Sequence, residues 1–207
     1  MKKIFSLLLA LAIFTPAVSF AQNIDLTPTQ KEEIQDRAAQ KIEAFLMQLQ
    51  YVASKSSGVQ DEAIKSTLAL FLEKGEPYYD TYGNYNDGVK MQTATLRKNR
   101  HGKPIYNRPI LMKRYLNNMR GQVRYDNVQI DQVGVVRVDN LRKVGEGKYE
   151  GMAYFLQAFR GERDGRLIYG DKTEKSVKIY VQLIDVGMGT TWQVYLGDMK
   201  VRSISKL

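Results

Sequence analysis

The last third of the chain alternates apolar and polar residues over most of its length. Val177, Ile179, Val181 and Leu183 are interleaved with Lys178, Tyr180 and Gln182. After Gly187-Met188-Gly189, Trp192, Val194 and Leu196 are interleaved with Thr191, Gln193 and Tyr195. A period of two sends alternate side chains to opposite faces, so the pattern predicts two long half-buried strands joined by a glycine hairpin. Residues 148–159 are apolar on both faces. Tyr149, Ala153, Phe155 and Phe159 form one set, and Met152, Tyr154, Leu156 and Ala158 the other. Such a strand is covered on both sides, by helices or by a partner chain. Residues 161–165 read as a loop and 166–170 as a further short strand. Earlier, Val123 and Tyr125, then Val128, Ile130 and residues 133–138, continue the strand pattern. The phase change at Asp126-Asn127 predicts a bulge or a turn.

The first part of the chain has a different period. Ile34, Ala38, Ile42, Phe45, Leu49 and Val52 recur at spacings of three and four, which predicts an amphipathic helix of about seven turns. Thr27 reads as its N-cap and Pro28 as its first helical residue. Glu32 and Glu33 are placed by this reading in the first turn, facing the positive end of the helix dipole. Residues 23–26 read as a short disordered lead, and 54–58 as a polar linker. Ile64, Leu68, Phe71 and Leu72 predict a second helix over 61–74, stopped by Gly75 and packed on the first as a hairpin. A third, short helix is expected to start at Asn107-Arg108-Pro109, with Ile110, Leu111, Tyr115, Leu116 and Met119 at helical spacing until Gly121.

Between the second and third helices lies an irregular excursion, residues 75–107. Residues 77–82 begin as a short strand, 83–88 have turn chemistry, and 90–96 read as another strand, with Val89, Met91 and Thr93 on one side. Asp80, Asn84, Asn86 and Asp87 do not have the spacing of a calcium-binding loop and read as ordinary Asx turns. Residues 97–104 form a basic turn.

Composition narrows the chemistry. The chain has 207 residues, no cysteine and one histidine, His101. Disulfides, thiolate nucleophiles, cysteine zinc sites and multi-histidine metal centres are therefore excluded. His101 lies among four cations, which disfavour its protonated form, and it has no orienting neighbour in sequence. No pattern asks for a cofactor. Residues 1–21 have the layout of a secretory signal peptide. Lys2 and Lys3 precede an apolar run, Thr15-Pro16 breaks it, and Ser19-Phe20-Ala21 supplies the small residues for cleavage after Ala21. The run is shorter than a membrane span needs, so a periplasmic or extracellular protein without a span after processing is expected. The remaining 29 basic and 22 acidic residues give a charge of +7. Between Asp87 and Asp126 there is no carboxylate, yet ten basic residues: Lys90, Arg97, Lys98, Arg100, Lys103, Arg108, Lys113, Arg114, Arg120 and Arg124. The basicity is a local property of this segment, and a local field of this kind concerns partners or solubility.

Helices followed by long antiparallel strands with internal glycines (Gly134, Gly151, Gly197) resemble the NTF2-like superfamily, which includes SnoaL-like and ketosteroid isomerase-like proteins. The resemblance lies in element order and covers about residues 27–205. It implies an α+β fold in which a curved antiparallel sheet wraps a helix as a single domain over 27–207; an open α+β sandwich is the alternative. Enzymes of that superfamily use an Asp, or an Asp–His pair, with tyrosine donors. Asp131, Asp139 and Asp185 are the strand carboxylates to test against this, and Tyr78, Tyr79, Tyr82, Tyr85 and Tyr106 the tyrosines of the excursion. None of the three aspartates shows a partner by spacing. The favoured reading is a non-catalytic exported binding domain. In it Arg97, Lys98, Arg100, Lys103, Tyr106 and Arg108 contact an anionic envelope component or an acidic protein. Export disfavours nucleic acid as the partner. A homodimer through strand 149–159, Tyr180 and Tyr195 is a further expectation.

Overall fold

A computed structural model describes residues 26–53, 57–120 and 124–207. The predicted signal peptide, most of the lead, much of the 54–58 linker and the Gly121–Val123 step lie outside the described residues.

Helix α1 (Pro28–Ala53) buries Ile34, Ala38, Ile42, Phe45, Leu46, Leu49 and Val52, the stripe its periodicity announces. Its start is a reciprocal capping box. Gln30 N donates to Thr27 Oγ1 at 3.2 Å and Thr27 N donates to Gln30 Oε1 at 2.9 Å, satisfying two donors that no helical carbonyl can reach. Two expectations need correction at this end. Leu26 is no part of a disordered lead; it is buried in the core. Glu32 and Glu33 lie beyond the first turn, and Glu33 pairs instead with Arg37 one turn on, at 2.8 Å.

Helix α2 (Ser57–Leu68) packs on α1, but it stops short of Gly75. Phe71 leaves the helix to bridge Leu196, Leu196 N donates to Leu70 O at 3.0 Å, and the Phe71 ring meets Phe45 edge-on at 5.6 Å. Burying an aromatic ring against the sheet outweighs a few more residues of helix. A 3-10 turn (Leu72–Gly75) follows.

The excursion holds β1 (Tyr78–Tyr79), β2 (Tyr85–Asn86), β3 (Lys90–Met91), β4 (Ala94–Lys98), β5 (Pro104–Tyr106) and β6 (Ile110–Leu111). The predicted strand over 90–96 is thus two strands in different sheets. Gly88 permits the entry of β3 into the fold. Its φ is +116°, and a Cβ there would sit 2.5 Å from Gly75 O, so only glycine fits. Helix α3 (Met112–Arg120) begins later than expected. Ile110 pairs with Met91, and Lys90 with Leu111, so the residues after Pro109 are recruited as a strand before the helix can start.

Four long strands complete the chain: β7 (Asn127–Gly145), β8 (Lys148–Arg163), β9 (Arg166–Asp185) and β10 (Thr190–Lys206). The fold is α+β. The main sheet is mixed, in the order β6-β3-β10-β9-β8-β7, with β10 and β3 parallel and the other pairs antiparallel. The expected short strand at 166–170 is the start of β9, which runs unbroken for 20 residues. The phase change at Asp126-Asn127 is the bend before β7. Register shifts fall at Gly134, at Asn140 and at Gly197-Asp198, which raises local twist and bending. One sheet face, carrying Tyr149, Ala153, Phe155, Val177, Ile179, Val181, Trp192 and Val194, forms one core with α1. No helix among the described residues is long and apolar enough to cross a membrane.

Candidate functional site

The basic turn is a two-stranded arm, β4 and β5, set apart from the main sheet. Asn99 fixes its tip: the Asn99 side-chain oxygen accepts from His101 N at 2.9 Å and from Lys103 N at 3.1 Å. At the arm's base, Tyr106 Oη donates to the Arg202 carbonyl at 3.3 Å. Asn107 N donates to Thr93 O at 2.8 Å. The arm is therefore held by hydrogen bonds at both ends.

Arg97 and Lys98 on β4, Arg100 and Lys103 at the tip, Tyr106 on β5 and Arg108 just beyond are all exposed. Several basic residues elsewhere are matched by carboxylates. Arg160 meets Asp131 at 2.7 Å, Lys90 meets Asp87 at 2.7 Å, and Lys113 meets Glu76 at 3.3 Å. Among the described residues no carboxylate pairs with Arg97, Lys98, Arg100, Lys103 or Arg108. His101 accepts from Arg100 Nε at 3.0 Å. The structure brings five of the six predicted residues onto one arm, with Arg108 just beyond it, and leaves its positive charge without a carboxylate partner among the described residues.

The predicted strand carboxylates do not form a site. Asp131 is held by Arg160, Asp139 pairs with Arg137 at 3.1 Å, and Asp185 accepts from Gly187 N at 2.8 Å in the hairpin turn. Asp80 accepts from Tyr82 N, Asn84 N and Asn84 Nδ2, an Asx turn that draws its carboxyl below the ordinary value.

Two buried polar clusters were not predicted. The first lies on the core face of the sheet. Asp171, Thr173 and Lys175 are in phase with Val177, Ile179 and Val181 on β9, and all three are buried. Lys175 Nζ donates to Gln157 Oε1 at 2.9 Å, and Thr173 Oγ1 donates to Asp171 at 2.8 Å. Burial pushes the pKa of the neighbouring Tyr169 hydroxyl up, and Asp171 adds to the rise. Burial likewise pushes up the Tyr115 hydroxyl, with the Asp171 charge adding to it. Burial pulls Lys175 down to about 8, with Asp171 opposing the fall. Gln132, the cross-strand neighbour of Gln157, carries a buried Oε1 with no hydrogen-bond partner. The signal was present in the sequence: extending the period-two phase backwards from Val177 puts Lys175, Thr173 and Asp171 inside.

The second cluster lies on the opposite sheet face. Glu150 is 2% exposed and takes Thr81 Oγ1 at 3.2 Å, Lys178 Nζ at 3.1 Å and Arg142 Nη2 at 3.3 Å. Beside it the Tyr78 and Tyr180 hydroxyls are 3.1 Å apart. Burial is the main reason the Tyr180 pKa rises to about 12. Tyr180 is thus not on an exposed side, as the dimer expectation required; the β1–β2 excursion covers it. A cleft of about 270 Å³ beside Glu150 is lined by Asn140, Arg142 and Met152. A larger one of about 480 Å³ lies between α1 and β7, lined by Lys31, Gln35 and Asn140. Neither includes Asp171 or Lys175. Comparison with protein-family models and with curated proteins finds no match for this chain.

Proposed function

We propose that the chain is an exported, non-catalytic binding domain of NTF2-like architecture that engages an anionic partner of the cell envelope through the β4–β5 arm. The observation that carries this reading is the arm itself: four exposed cations on a hairpin whose turn and base are already ordered, with Arg108 just beyond it, none with a carboxylate partner among the described residues. An ordered cationic arm loses little entropy on binding, and its field attracts anions before contact. The architecture is supported by α1, which packs on both β7 and β10 although β8 and β9 separate those strands. A sheet that curls around the helix accounts for this, and the register shifts are the devices that curl sheets.

The test is titration of the protein from Gln22 with polyphosphate, alongside a variant carrying Arg97→Gln, Lys98→Gln, Arg100→Gln and Lys103→Gln. The native chain is expected to bind, with affinity falling as salt rises, and the variant to bind far more weakly. Equal binding by the two proteins at low ionic strength would count against the reading.

A second reading is favoured by one observation, a buried Asp171 carboxylate whose charge is felt by the Tyr169 and Tyr115 hydroxyls. In it Asp171 accepts a proton from a bound carbonyl compound while Tyr169 or Tyr115 donates to the carbonyl oxygen. A rise in melting temperature with a small cyclic enone, lost in Asp171→Asn and kept in the arm variant, would support this alternative.

A further inference from the structure

The arm is not alone at its end of the molecule. β10 runs out between two hairpins. On one side Tyr106 Oη of the arm reaches the Arg202 carbonyl, and on the other Leu207 N donates to Gly170 O at 3.3 Å, on the strand that leads out of the β8–β9 turn at Asp164-Gly165. Both hairpins combine the same two kinds of side chain. The arm exposes Ile105 and Tyr106, at 39% and 43%, beside Arg97, Lys98, Arg100 and Lys103. The β8–β9 hairpin exposes Leu167 and Ile168, at 56% and 55%, beside Arg163 and Arg166. Asp164 and Glu162, the latter accepting from Asn127 Nδ2 at 3.0 Å, balance these two charges, so the net positive charge of this end lies on the arm.

Cations alone suit any polyanion. A soluble polyanion, however, offers nothing to four exposed apolar side chains, and single exposed apolar residues are ordinary only when they are scattered. The boundary between lipid headgroups and acyl chains accommodates both kinds at once. Apolar side chains enter the acyl edge while Lys and Arg stay at anionic headgroups. We infer that this end of the sheet docks on the surface of an anionic lipid bilayer, with the two hairpins as prongs. This rests on the anion-binding reading above and names its partner.

The experiment is co-sedimentation of the mature chain with phosphatidylcholine vesicles, with and without phosphatidylglycerol, run in parallel with polyphosphate titration. The native chain is expected to sediment only with the phosphatidylglycerol vesicles. The four-glutamine arm variant should lose roughly a hundredfold or more of that affinity, since each basic residue near an anionic surface contributes substantially. A second variant, Ile105→Ser with Leu167→Ser and Ile168→Ser, should lose about tenfold on vesicles and bind polyphosphate as the native chain does. Native binding to polyphosphate but not to vesicles overturns the lipid inference and leaves the anion reading standing. So does unchanged vesicle binding by the serine variant, or equal binding to neutral vesicles. Binding to neither probe overturns both.

Discussion

Replacing Lys175 with methionine isolates the least usual group in the core. Lys175 is buried on the core face of β9, its Nζ has Gln157 Oε1 as hydrogen-bond acceptor, and no carboxylate pairs with it among the described residues. Burial takes its pKa from 10.5 to about 8. In the unfolded chain the amine keeps its ordinary value, so between about pH 8 and 10.5 the unfolded state binds more protons than the folded one. Stability then rises with pH across that window and is lost as pH falls through it. Below about pH 8 the loss is complete, and the fall in pKa corresponds to about 3 kcal/mol. Lys175→Met removes this term but leaves Gln157 Oε1 without its donor, at a cost of roughly 1–3 kcal/mol.

The two effects set a specific expectation. At neutral pH the variant should match the native chain or exceed it by up to about 2 kcal/mol. Well above pH 10.5 the lysine is neutral in both states, and only the orphaned Gln157 remains, so there the variant should be the less stable. The assay is urea unfolding followed by the fluorescence of Trp192, the only tryptophan and buried beside Tyr149, at a series of pH values. Tyrosine ionisations affect both proteins and cancel in the difference. Parallel profiles across the window would refute the reasoning, because they would mean that the amine is solvated in the folded chain.

Two further changes test how the excursion is held. Glu150→Gln removes the charge that Lys178 and Arg142 share and should destabilise the fold by about 1–3 kcal/mol, with residues 77–86 becoming the first site of proteolytic cleavage; unchanged stability and cleavage would show that Glu150 does not clamp the excursion. Gly88→Ala forces a Cβ against Gly75 O at a positive φ and should cost upwards of about 2 kcal/mol, read as a lowered midpoint in the same urea assay.

The helices and long strands were legible because periodicity is local. Ile34 to Val52 repeats at helical spacing and Val177 to Leu196 at strand spacing, and burial follows both except at Leu183, which is exposed near the β9–β10 turn, and at Tyr180, which the excursion covers. The charged arm was legible for a similar reason: a carboxylate-free interval is a property of the chain alone, and its hairpin needs only Asn99 and the turn around it. Element boundaries were less so. Helix α2 ends where Phe71 finds Phe45 and Leu196, and α3 starts late because Ile110 finds Met91, partners distant in sequence. The buried clusters depended most on the tertiary structure. A polar residue at an inward position reads as an interruption until Gln157 arrives beside Lys175 across the sheet, or Thr81 closes over Glu150. Periodicity along a chain determines which residues form helices and strands. Burial of a charge is decided by what packs against it, and that depends on contacts between residues far apart in the sequence.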